Sequence, residues 1–377
     1  MSLNVYYSAD PDKPVFVGKL AWHEHHAYFE YAQAFLDTGL NLSPFMPFKT
    51  ELLKADREPW RGLHGLFNDS LPDGWGMLLM DRYFLSKKIN PSTVSPVDRL
   101  AYLGNRTMGA LTYQPSTGPD EEPVHVYLQK MSESAMEIYE GHYSDVLPEM
   151  IRVGGSPGGA RPKALVHLSG DEMITGDIDV PEEYEPWIIK FHTKEDGVDA
   201  GRQEYEYSLM AKQVGIDMPE TRLFSTPDGN EYFGVKRFDR IDRKRVHMHT
   251  LGGMINADFR VPSIDYLDFL KVTFMLSKDI RQVESAFKLM VFNVLIGNKD
   301  DHSKNFSFLM DENGQWSLSP AYDLTKSKGV AGHHTTAVNG NYTAPTNEDM
   351  IQVGLDAGLK EKTCKAAIEE IRSVQAV

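Results

Sequence analysis

Two acids, a histidine and two asparagines lie within one short polar stretch in the last quarter of the chain, between Gly297 and Phe306. Asp300 precedes Asn305 by five positions, and Asp323 follows. Protein kinases use this spacing for the carboxylate beside the attacking hydroxyl and the amide that holds Mg²⁺, and a later Asp completes their metal site. Carboxylate and amide oxygens are ligands that Mg²⁺ favours. The stretch therefore predicts phosphoryl transfer, although a solvated acidic loop would show the same spacing.

The segments around this stretch predict how it is held in place. The apolar residues of 286–296 recur at helical spacing, and Gly297 then ends the predicted helix. Two strand-like runs, 306–310 and 315–318, predict a hairpin because a turn sequence separates them. Such a hairpin would return Asp323 towards the polar stretch.

A second stretch that could do chemistry is rich in glycine. Residues 154–159 contain four glycines, and Lys163 follows them. Backbone N–H groups of such a loop can approach phosphate oxygens closely, and a lysine adds positive charge. The pattern is neither a Walker loop nor G-x-G-x-x-G, and alone it would indicate only a loop. We assign Gly158, Gly159, Ala160 and Lys163 to nucleotide binding.

Lys190 lies near the end of a short apolar run, 187–191, which is typical of a buried strand. A buried ammonium group needs a carboxylate beside it, and the following helix offers two. The sequence leaves Glu204 and Glu206 nearly equal, and we select Glu204 as the partner. A further hairpin ends near Lys236, and its second strand would lie behind an adenine ring.

The composition is that of an ordinary soluble protein, since 41% of the 377 residues are apolar and 25% are charged. The net charge of −15 argues against a surface devoted to nucleic acid. We find no apolar run of membrane-spanning length and no secretory signal pattern. Cys364 is the single cysteine, so a disulfide within the chain is excluded, and we expect a cytoplasmic protein that does not bind membranes.

Changes in composition suggest the domain boundaries. A turn-rich acidic segment, 114–123, is almost free of apolar residues. The four residues 23–26 include three histidines without zinc-helix spacing, and they predict a polar hairpin tip rather than a metal site. The run 360–374 predicts a closing amphipathic helix. We place the domains at 1–125, 126–240 and 241–377.

The order of the motifs resembles that of kinases, from a glycine loop through a strand lysine to a catalytic-type loop and a metal-type Asp. The form Asp300-x-His302-x-x-Asn305 is similar to the catalytic loop of phosphoinositide-type kinases. The chain is identified as a member of the HipA family of serine/threonine kinase toxins, which belong to bacterial toxin–antitoxin pairs. The stretches that carry this resemblance are Leu71-Pro-Asp-Gly-Trp75, 104–109, Ser156-Pro-Gly-Gly-Ala-Arg-Pro-Lys163, Lys236-Arg-Phe-Asp-Arg240, 297–306 and Tyr322-Asp323.

The resemblance implies roles for individual residues. Asp300 matches the catalytic base, while Asn305 and Asp323 match the ligands of Mg²⁺. Lys190 matches the lysine that binds ATP. Ser156 matches an autophosphorylated serine whose modification turns the kinase off, since a phosphate there would repel those of ATP. We also assign Lys163, Lys236 and His302 to nucleotide binding.

The implied fold is α+β, with a small β-rich N-terminal subdomain followed by a bilobal, protein-kinase-like (phosphoinositide-kinase-like) domain that has a helical C-terminal lobe. The implied reaction moves the γ-phosphate of ATP to a serine or threonine of a protein. The target would be translation-related, such as an aminoacyl-tRNA synthetase, and an antitoxin would carry the contact with DNA. The chain after Asp323 is short for the family, so we expect a smaller C-terminal lobe.

Three questions stay open on sequence alone. Asp301 stands where relatives can have glycine, so either Asp300 or Asp301 could face the substrate, although the five-residue spacing favours Asp300. The chain could instead be a kinase-shaped subunit of an antitoxin–DNA repressor complex whose phosphotransfer is dispensable. A metal-dependent hydrolase built on Asp300, Asp301, His302 and Asp323 would release free phosphate and label no protein.

Overall fold

The computed structural model describes residues 1–119, 123–141, 150, 158–176 and 180–375. The chain forms two compact units, Met1–Tyr205 with Glu220–His247 and Glu206–Pro219 with Met248–Val377. The first unit is built on sheets and the second mainly on helices. No helix in the described part of the chain is both long and apolar enough to cross a membrane.

The first unit contains two five-stranded antiparallel sheets, ordered β4-β3-β2-β1-β5 and β7-β6-β8-β10-β9, and a small β11-β12 hairpin. Its strands are β1 Ser2–Tyr7, β2 Val15–His23, β3 His26–Tyr31, β4 Leu53–Lys54, β5 Leu111–Gln114, β6 Lys163–Ser169, β7 Glu172–Ile174, β8 Glu185–Lys190, β9 Thr221–Ser225, β10 Glu231–Lys236, β11 Arg240–Ile241 and β12 Lys244–Arg245. Its helices are α1 Gln33–Leu36, α2 Gly65–Asn68, α3 Gly74–Ser86, α4 Pro96–Leu103 and α5 Leu128–Tyr139; α6, Ala200–Gln213, is divided between the two units.

The second unit consists of helices around two small sheets, β13-β15-β16 and the parallel pair β14-β17. Its strands are β13 His247–Thr250, whose first residue belongs to the first unit, β14 Ile264–Asp265, β15 Ser307–Met310, β16 Trp316–Leu318 and β17 Thr336–Ala337. Its helices are α7 Leu251–Ile255, α8 Tyr266–Ser277, α9 Ile280–Ile296, α10 Asn347–Asp356 and α11 Glu361–Gln375.

The N-terminal elements follow their sequence patterns. Strands β2 and β3 form the predicted hairpin, and Glu24 and His25 at its tip have positive φ angles of 46° and 64°. Helix α3 begins at Gly74 and buries Trp75 in one core cluster with Trp187 and Ile189 of the second sheet. This packing places the start of α3 against that sheet, where it contacts Gly159 and Ala160.

The elements that hold the polar stretch of the second unit also agree with prediction. Helix α9 ends at Gly297, which caps it with a φ of 73°. Strands β15 and β16 pair antiparallel, with Phe308 opposite Leu318. The closing helix α11 buries Ile368 and Ile371 on its inner face. The predicted helix end, hairpin and closing helix are therefore confirmed.

Candidate active site

Two lysines lie directly opposite each other in the second sheet of the first unit. The register of β6 and β8 pairs Lys163 with Lys190, and the register of β8 and β10 pairs Lys190 with Phe233. Residues opposite each other in adjacent strands share a face of the sheet. The Lys190 ammonium lies 5.6 Å from the centre of the Phe233 ring, where it gains a cation–π contact.

Lys190 forms an ion pair with Glu204 of helix α6, with 2.5 Å between Nζ and Oε1. Both side chains are largely buried, at 14% and 6% exposure, so each charge depends on the other. Glu206, the other candidate from the sequence, is exposed. The structure thus joins Lys190 to the carboxylate that lies on the inner side of α6.

The Lys163 ammonium, at the first residue of β6, donates a hydrogen bond to the carbonyl of Gly158. Gly159 has a φ of 98°, and a Cβ there would lie 2.5 Å from Lys163 Nζ. The left-handed φ favours glycine at this position, whereas the flexible end of Lys163 could move away from an added Cβ. Ser156 and its neighbours at 154–157 lie outside the described residues.

The start of helix α3 packs directly on the glycine loop. The Trp75 amide donates to the Gly159 carbonyl at 3.2 Å, and the Trp75 indole donates to the Lys163 carbonyl at 2.9 Å. A Cβ on Gly74 would lie 2.6 Å from Ala160 Cα. The Leu71–Trp75 motif is therefore a support for the loop.

Lys236 is placed apart from the other two lysines. Its register partner in β8 is Trp187, three residues from Lys190, so strand alternation puts Lys236 on the opposite face of the sheet. Its ammonium lies 2.5 Å from Glu185 Oε1, and this hydrogen bond lowers the pKa of Glu185. The structure does not bring Lys236 together with Lys163 and Lys190.

A buried ionic cluster joins two further motifs of the first unit. Asp239, which is fully buried, accepts hydrogen bonds from Arg237 and Arg240 at 2.7–2.9 Å and from the Gly109 amide at 2.8 Å. Burial alone would raise the pKa of Asp239, but the two guanidinium groups outweigh it and hold that pKa well below its usual value. The segment 104–109 is thereby fixed to the segment 236–240.

In the second unit, the polar stretch contains a short 3₁₀ turn, Ser303–Asn305. Asp300 precedes this turn by three residues, and Asn305 is its last residue. The Asn305 amide nitrogen donates to the Asp300 carbonyl at 2.7 Å. This bond directs the Asn305 side-chain oxygen away from the turn. The Asp300 side chain is exposed, as a group that must meet a protein hydroxyl would be.

Asp301 points the other way and is fully buried. Its carboxylate accepts hydrogen bonds from the Tyr266 hydroxyl at 2.9 Å, from His334 Nδ1 at 2.8 Å and from the Thr335 amide at 2.8 Å. Burial, and then the Asp301 charge, raise the pKa of Tyr266 well above its usual value, so this hydroxyl stays protonated and donates. Of the two acids, only Asp300 can therefore reach a substrate from solvent.

Asp323 returns to the polar stretch as the hairpin predicted. Its neighbour Tyr322 donates from its hydroxyl to the Lys304 carbonyl at 2.6 Å, and Asn298 donates to the Asp323 carbonyl at 3.1 Å. Asp323 has a φ of 58°, a left-handed conformation that a non-glycine residue rarely adopts. Its backbone is thus held by contacts on both sides.

His302 lies beside Phe259, with ring centres 5.4 Å apart. Its Nδ1 atom is buried and has no hydrogen-bond partner among the described residues. Lys304 covers the same Phe259 ring at 5.0 Å. The ring of His302 is therefore fixed by packing next to Asp300.

The oxygen groups of Asn305 and Asp323 fit Mg²⁺, which binds few protein ligands and takes the rest of its shell from water and phosphates. No cluster of three or more His, Cys, Asp or Glu side chains with metal-binding geometry occurs among the described residues. This includes the histidines at 23–26, which form the hairpin tip.

Sequence reasoning missed the residues that hold these groups. Tyr266 and Asn293 look like ordinary helix positions, and His334 looks like one histidine in a long polar loop. Asn298 follows the helix-ending Gly297 and looks like an ordinary loop residue. Their hydrogen bonds cross 5 to 35 residues of sequence, and no local spacing records such contacts.

Comparison with known proteins identifies the family to which this chain belongs. The HipA N-terminal domain family matches residues 4–114, and the family of HipA-like C-terminal domains matches residues 155–377. In fold, the chain is similar to a chain of the Shewanella oneidensis toxin–antitoxin complex of HipA, HipB and operator DNA. The two chains align with a TM-score of 0.73 and 16% sequence identity, and the alignment covers 99% of this chain and 89% of that one. The fold is therefore the α+β, kinase-like fold of HipA.

Curated relatives agree with this class. "Putative kinase Y4dM" of Sinorhizobium fredii is 26% identical over 298 residues, which are 72% of this chain and 68% of that protein. "Putative kinase Y4mE" of the same organism is 25% identical over 325 residues, 78% of this chain and 71% of that protein. The chain belongs to the HipA family.

Proposed function

We propose that the protein is an ATP- and Mg²⁺-dependent serine/threonine protein kinase that acts as the toxin of a toxin–antitoxin pair. The observation that carries the proposal is the placement of Lys163 opposite Lys190, with Glu204 holding Lys190 and the glycine loop beside Lys163. Two ammonium groups on one face of a sheet attract an anion with several negative charges. A triphosphate beside a glycine loop is such an anion.

In the proposed reaction, Asp300 orients the serine or threonine hydroxyl and accepts its proton. The hydroxyl oxygen forms a bond to the γ-phosphorus, the bond from that phosphorus to the bridging oxygen breaks, and ADP leaves. Lys163 and Lys190 stabilise the negative charge on the phosphates, and Glu204 keeps Lys190 in place. Asp301 takes no part in proton transfer, because its carboxylate is already occupied by hydrogen bonds.

Asn305 and Asp323 would hold Mg²⁺, and bound Mg²⁺ neutralises charge that develops on the phosphates. The left-handed backbone of Asp323, held by Asn298, supports the idea that this side chain has a fixed direction. His302, fixed against Phe259, would contact the nucleotide through its buried Nδ1. Gly158, Gly159 and Ala160 would present backbone N–H groups to the phosphates.

We further propose that Ser156 is an autophosphorylation site that switches the enzyme off. A phosphate there adds nearly two negative charges at pH 7 to a loop that has to receive ATP.

The fold likeness to HipA, solved with HipB and operator DNA, supports an antitoxin partner that carries the DNA contact. The target would be a translation protein such as an aminoacyl-tRNA synthetase. We assign 1–125 to the N-terminal subdomain, 126–240 to the N-lobe and 241–377 to the C-lobe.

The test is incubation of the purified protein with γ-labelled ATP and Mg²⁺, followed by mass spectrometry of the peptide that contains Ser156. The proposal predicts label on that peptide in the wild type and none in Asp300→Ala, whereas Ser156→Ala should still label an added protein substrate. Label on no protein, with no nucleotide binding, would favour the repressor subunit. Free phosphate without labelled protein would favour the hydrolase.

A further inference from the structure

We infer that a buried hydrogen-bond network, Asn298–Asn293–Tyr266–Asp301–His334, fixes the position of Asp300 relative to Asp323. These five residues are positioning residues, which act through the two acids and do not touch the substrate. The inference rests on the proposed function, since it assigns a catalytic purpose to contacts within the second unit. It also predicts a structural effect that can be measured without activity.

One end of the network holds the metal-type acid. The Asn298 side-chain amide donates one hydrogen bond to the Asp323 carbonyl at 3.1 Å and another to Asn293 Oδ1 at 3.0 Å. Asn298 directly follows Gly297, which ends helix α9, and Asn293 lies in the last turns of that helix. The backbone of Asp323 is thereby tied to the end of a rigid helix.

The middle of the network passes from helix α9 to helix α8. The Asn293 amide nitrogen donates to the Tyr266 hydroxyl at 3.1 Å, and that hydroxyl donates to Asp301 Oδ2 at 2.9 Å. Within this network a single hydroxyl group joins the residues that hold Asp323 to those that hold Asp301, and outside the network the Tyr322 hydroxyl also donates to the Lys304 carbonyl. Removing the Tyr266 hydroxyl divides the network at its midpoint without removing the ring.

The other end of the network restrains the backbone on either side of the Asp300–Asp301 pair. The Asp301 carboxylate is held by His334 Nδ1 and the Thr335 amide. The Thr336 hydroxyl donates to the Asp301 carbonyl, and the Thr335 hydroxyl donates to the Lys299 carbonyl at 3.2 Å. The peptide group before Asp300 and the peptide group after Asp301 are thus both restrained, while the Asp300 side chain stays exposed.

Burial makes the network rigid. Tyr266 and Asp301 are 0% exposed, and Asn293, Asn298 and His334 are each 2% exposed. Water cannot easily replace a hydrogen bond lost at such depth, so each bond strongly restrains its partners. In phosphoryl transfer most of the rate comes from positioning, and a displacement of about 1 Å can cost about a hundredfold in rate. A network that sets the distance between two acids would therefore act on kcat.

The main test variant is Tyr266→Phe, which keeps the ring that packs on Phe306. We expect kcat to fall by about tenfold to a hundredfold. The Kd for ATP without Mg²⁺ should change by less than about threefold, because the network holds Asp300 and Asp323 and includes neither Lys163 nor Lys190. Amide hydrogen exchange without nucleotide should become faster in both 299–305 and 321–326.

The matched control is Tyr113→Phe. Tyr113 is also fully buried, and its hydroxyl bonds to Ser70 at 2.8 Å, outside the network. This variant should lose similar stability but keep kcat and the exchange rates of 299–305 and 321–326. A second pair gives a conservative rescue: His334→Asn retains a donor near Asp301 and should keep more activity than His334→Ala.

A kcat for Tyr266→Phe that matches Tyr113→Phe would overturn the inference, as would faster exchange in only one of the two segments. Should the wild type transfer no phosphate at all, the proposed function fails, and the exchange experiment decides alone. Faster exchange in both segments then supports the network as a structural link. Exchange unchanged in either segment refutes it.

Discussion

Lys163 and Lys190 stand directly opposite each other on adjacent antiparallel strands, on the face of the sheet that Glu204 approaches from helix α6. Like charges in opposite positions of a sheet are destabilising unless anions lie near them. Glu204 supplies one such charge. In the function we propose, the two ammonium groups bind a polyanion, and the Glu204 carboxylate offsets part of their repulsion before the nucleotide binds.

Glu204→Gln should weaken both activity and folding. The substitution leaves the largely buried Lys190 ammonium facing a neutral amide, and breaking a buried pair costs about 3 kcal/mol. We expect phosphate transfer to fall by about tenfold or more. Glu206→Gln, on the exposed side of the same helix, is the matched control. Equal losses in the two variants, measured by labelled-ATP assay and chemical unfolding, would contradict the assigned pairing.

Gly74→Ala should disturb the glycine loop through its support. The added Cβ would lie 2.6 Å from Ala160 Cα, a distance at which the loop backbone must move. We therefore expect weaker MgATP binding by calorimetry. Leu85→Ala, at an exposed position of the same helix, controls for effects on helix α3 alone. Unchanged affinity in Gly74→Ala would show that the loop does not depend on this contact.

Asp239→Asn should destabilise the first unit. Asp239 is held by Arg237, Arg240 and the Gly109 amide, and its loss leaves buried guanidinium groups without their charge partner, at a cost of about 3–5 kcal/mol. Because the folded-state pKa of Asp239 is lowered, its contribution is present above its unfolded pKa and is lost as the pH falls through and below that value. Asp242→Asn, in the exposed turn nearby, should change the free energy of unfolding by less than about 0.5 kcal/mol.

Besides Asp239, His64 should make the free energy of unfolding depend on pH, in a second pH range. Burial lowers the pKa of His64 from 6.5 to about 4, and the nearby Asp56 carboxylate offsets only part of this effect. The unfolded chain therefore takes up a proton at His64 more readily than the folded chain. The free energy of unfolding should fall between pH 6.5 and about 4, by up to about 3 kcal/mol.

The measurement for His64 is urea unfolding at a series of pH values in the wild type and in His64→Leu. The variant should lose much of the pH dependence in this window, whereas His23→Gln, at the exposed hairpin tip, should retain it. Parallel pH profiles for the wild type and His64→Leu would show that the buried histidine does not govern acid stability.

Much of the fold was predictable because it follows local patterns. Helix α9 and its end at Gly297, the β15-β16 hairpin and the buried face of helix α11 all come from spacing within a few residues. The HipA family was also identified correctly from the order of motifs. The site was harder to predict, since Asp300 and Asp301 are neighbours with opposite environments. The contacts of Asp301 with Tyr266, His334 and Thr335 distinguish the two acids, and these residues lie more than thirty positions away in sequence.

The face of the sheet on which Lys236 lies was likewise not predictable from the sequence. As a lysine at the end of a strand beside the proposed nucleotide site, it resembles Lys190 in sequence. The register of β10 against β8 sets it on the other face, next to Glu185. A difference of one residue in register would have reversed that outcome. Sequence alone does not fix the register of three non-consecutive strands.

We propose that Lys190 and Asp323 both bind one MgATP. Calorimetric titration tests it most directly, with ATP in the presence of Mg²⁺ or of a chelator. The wild type should bind one MgATP. Lys190→Met should weaken binding by about tenfold or more in both conditions, while Asp323→Asn should weaken it only when Mg²⁺ is present. Lys194→Met, at an exposed lysine, should bind as the wild type does. Wild-type affinity for MgATP in either Lys190→Met or Asp323→Asn would contradict the account.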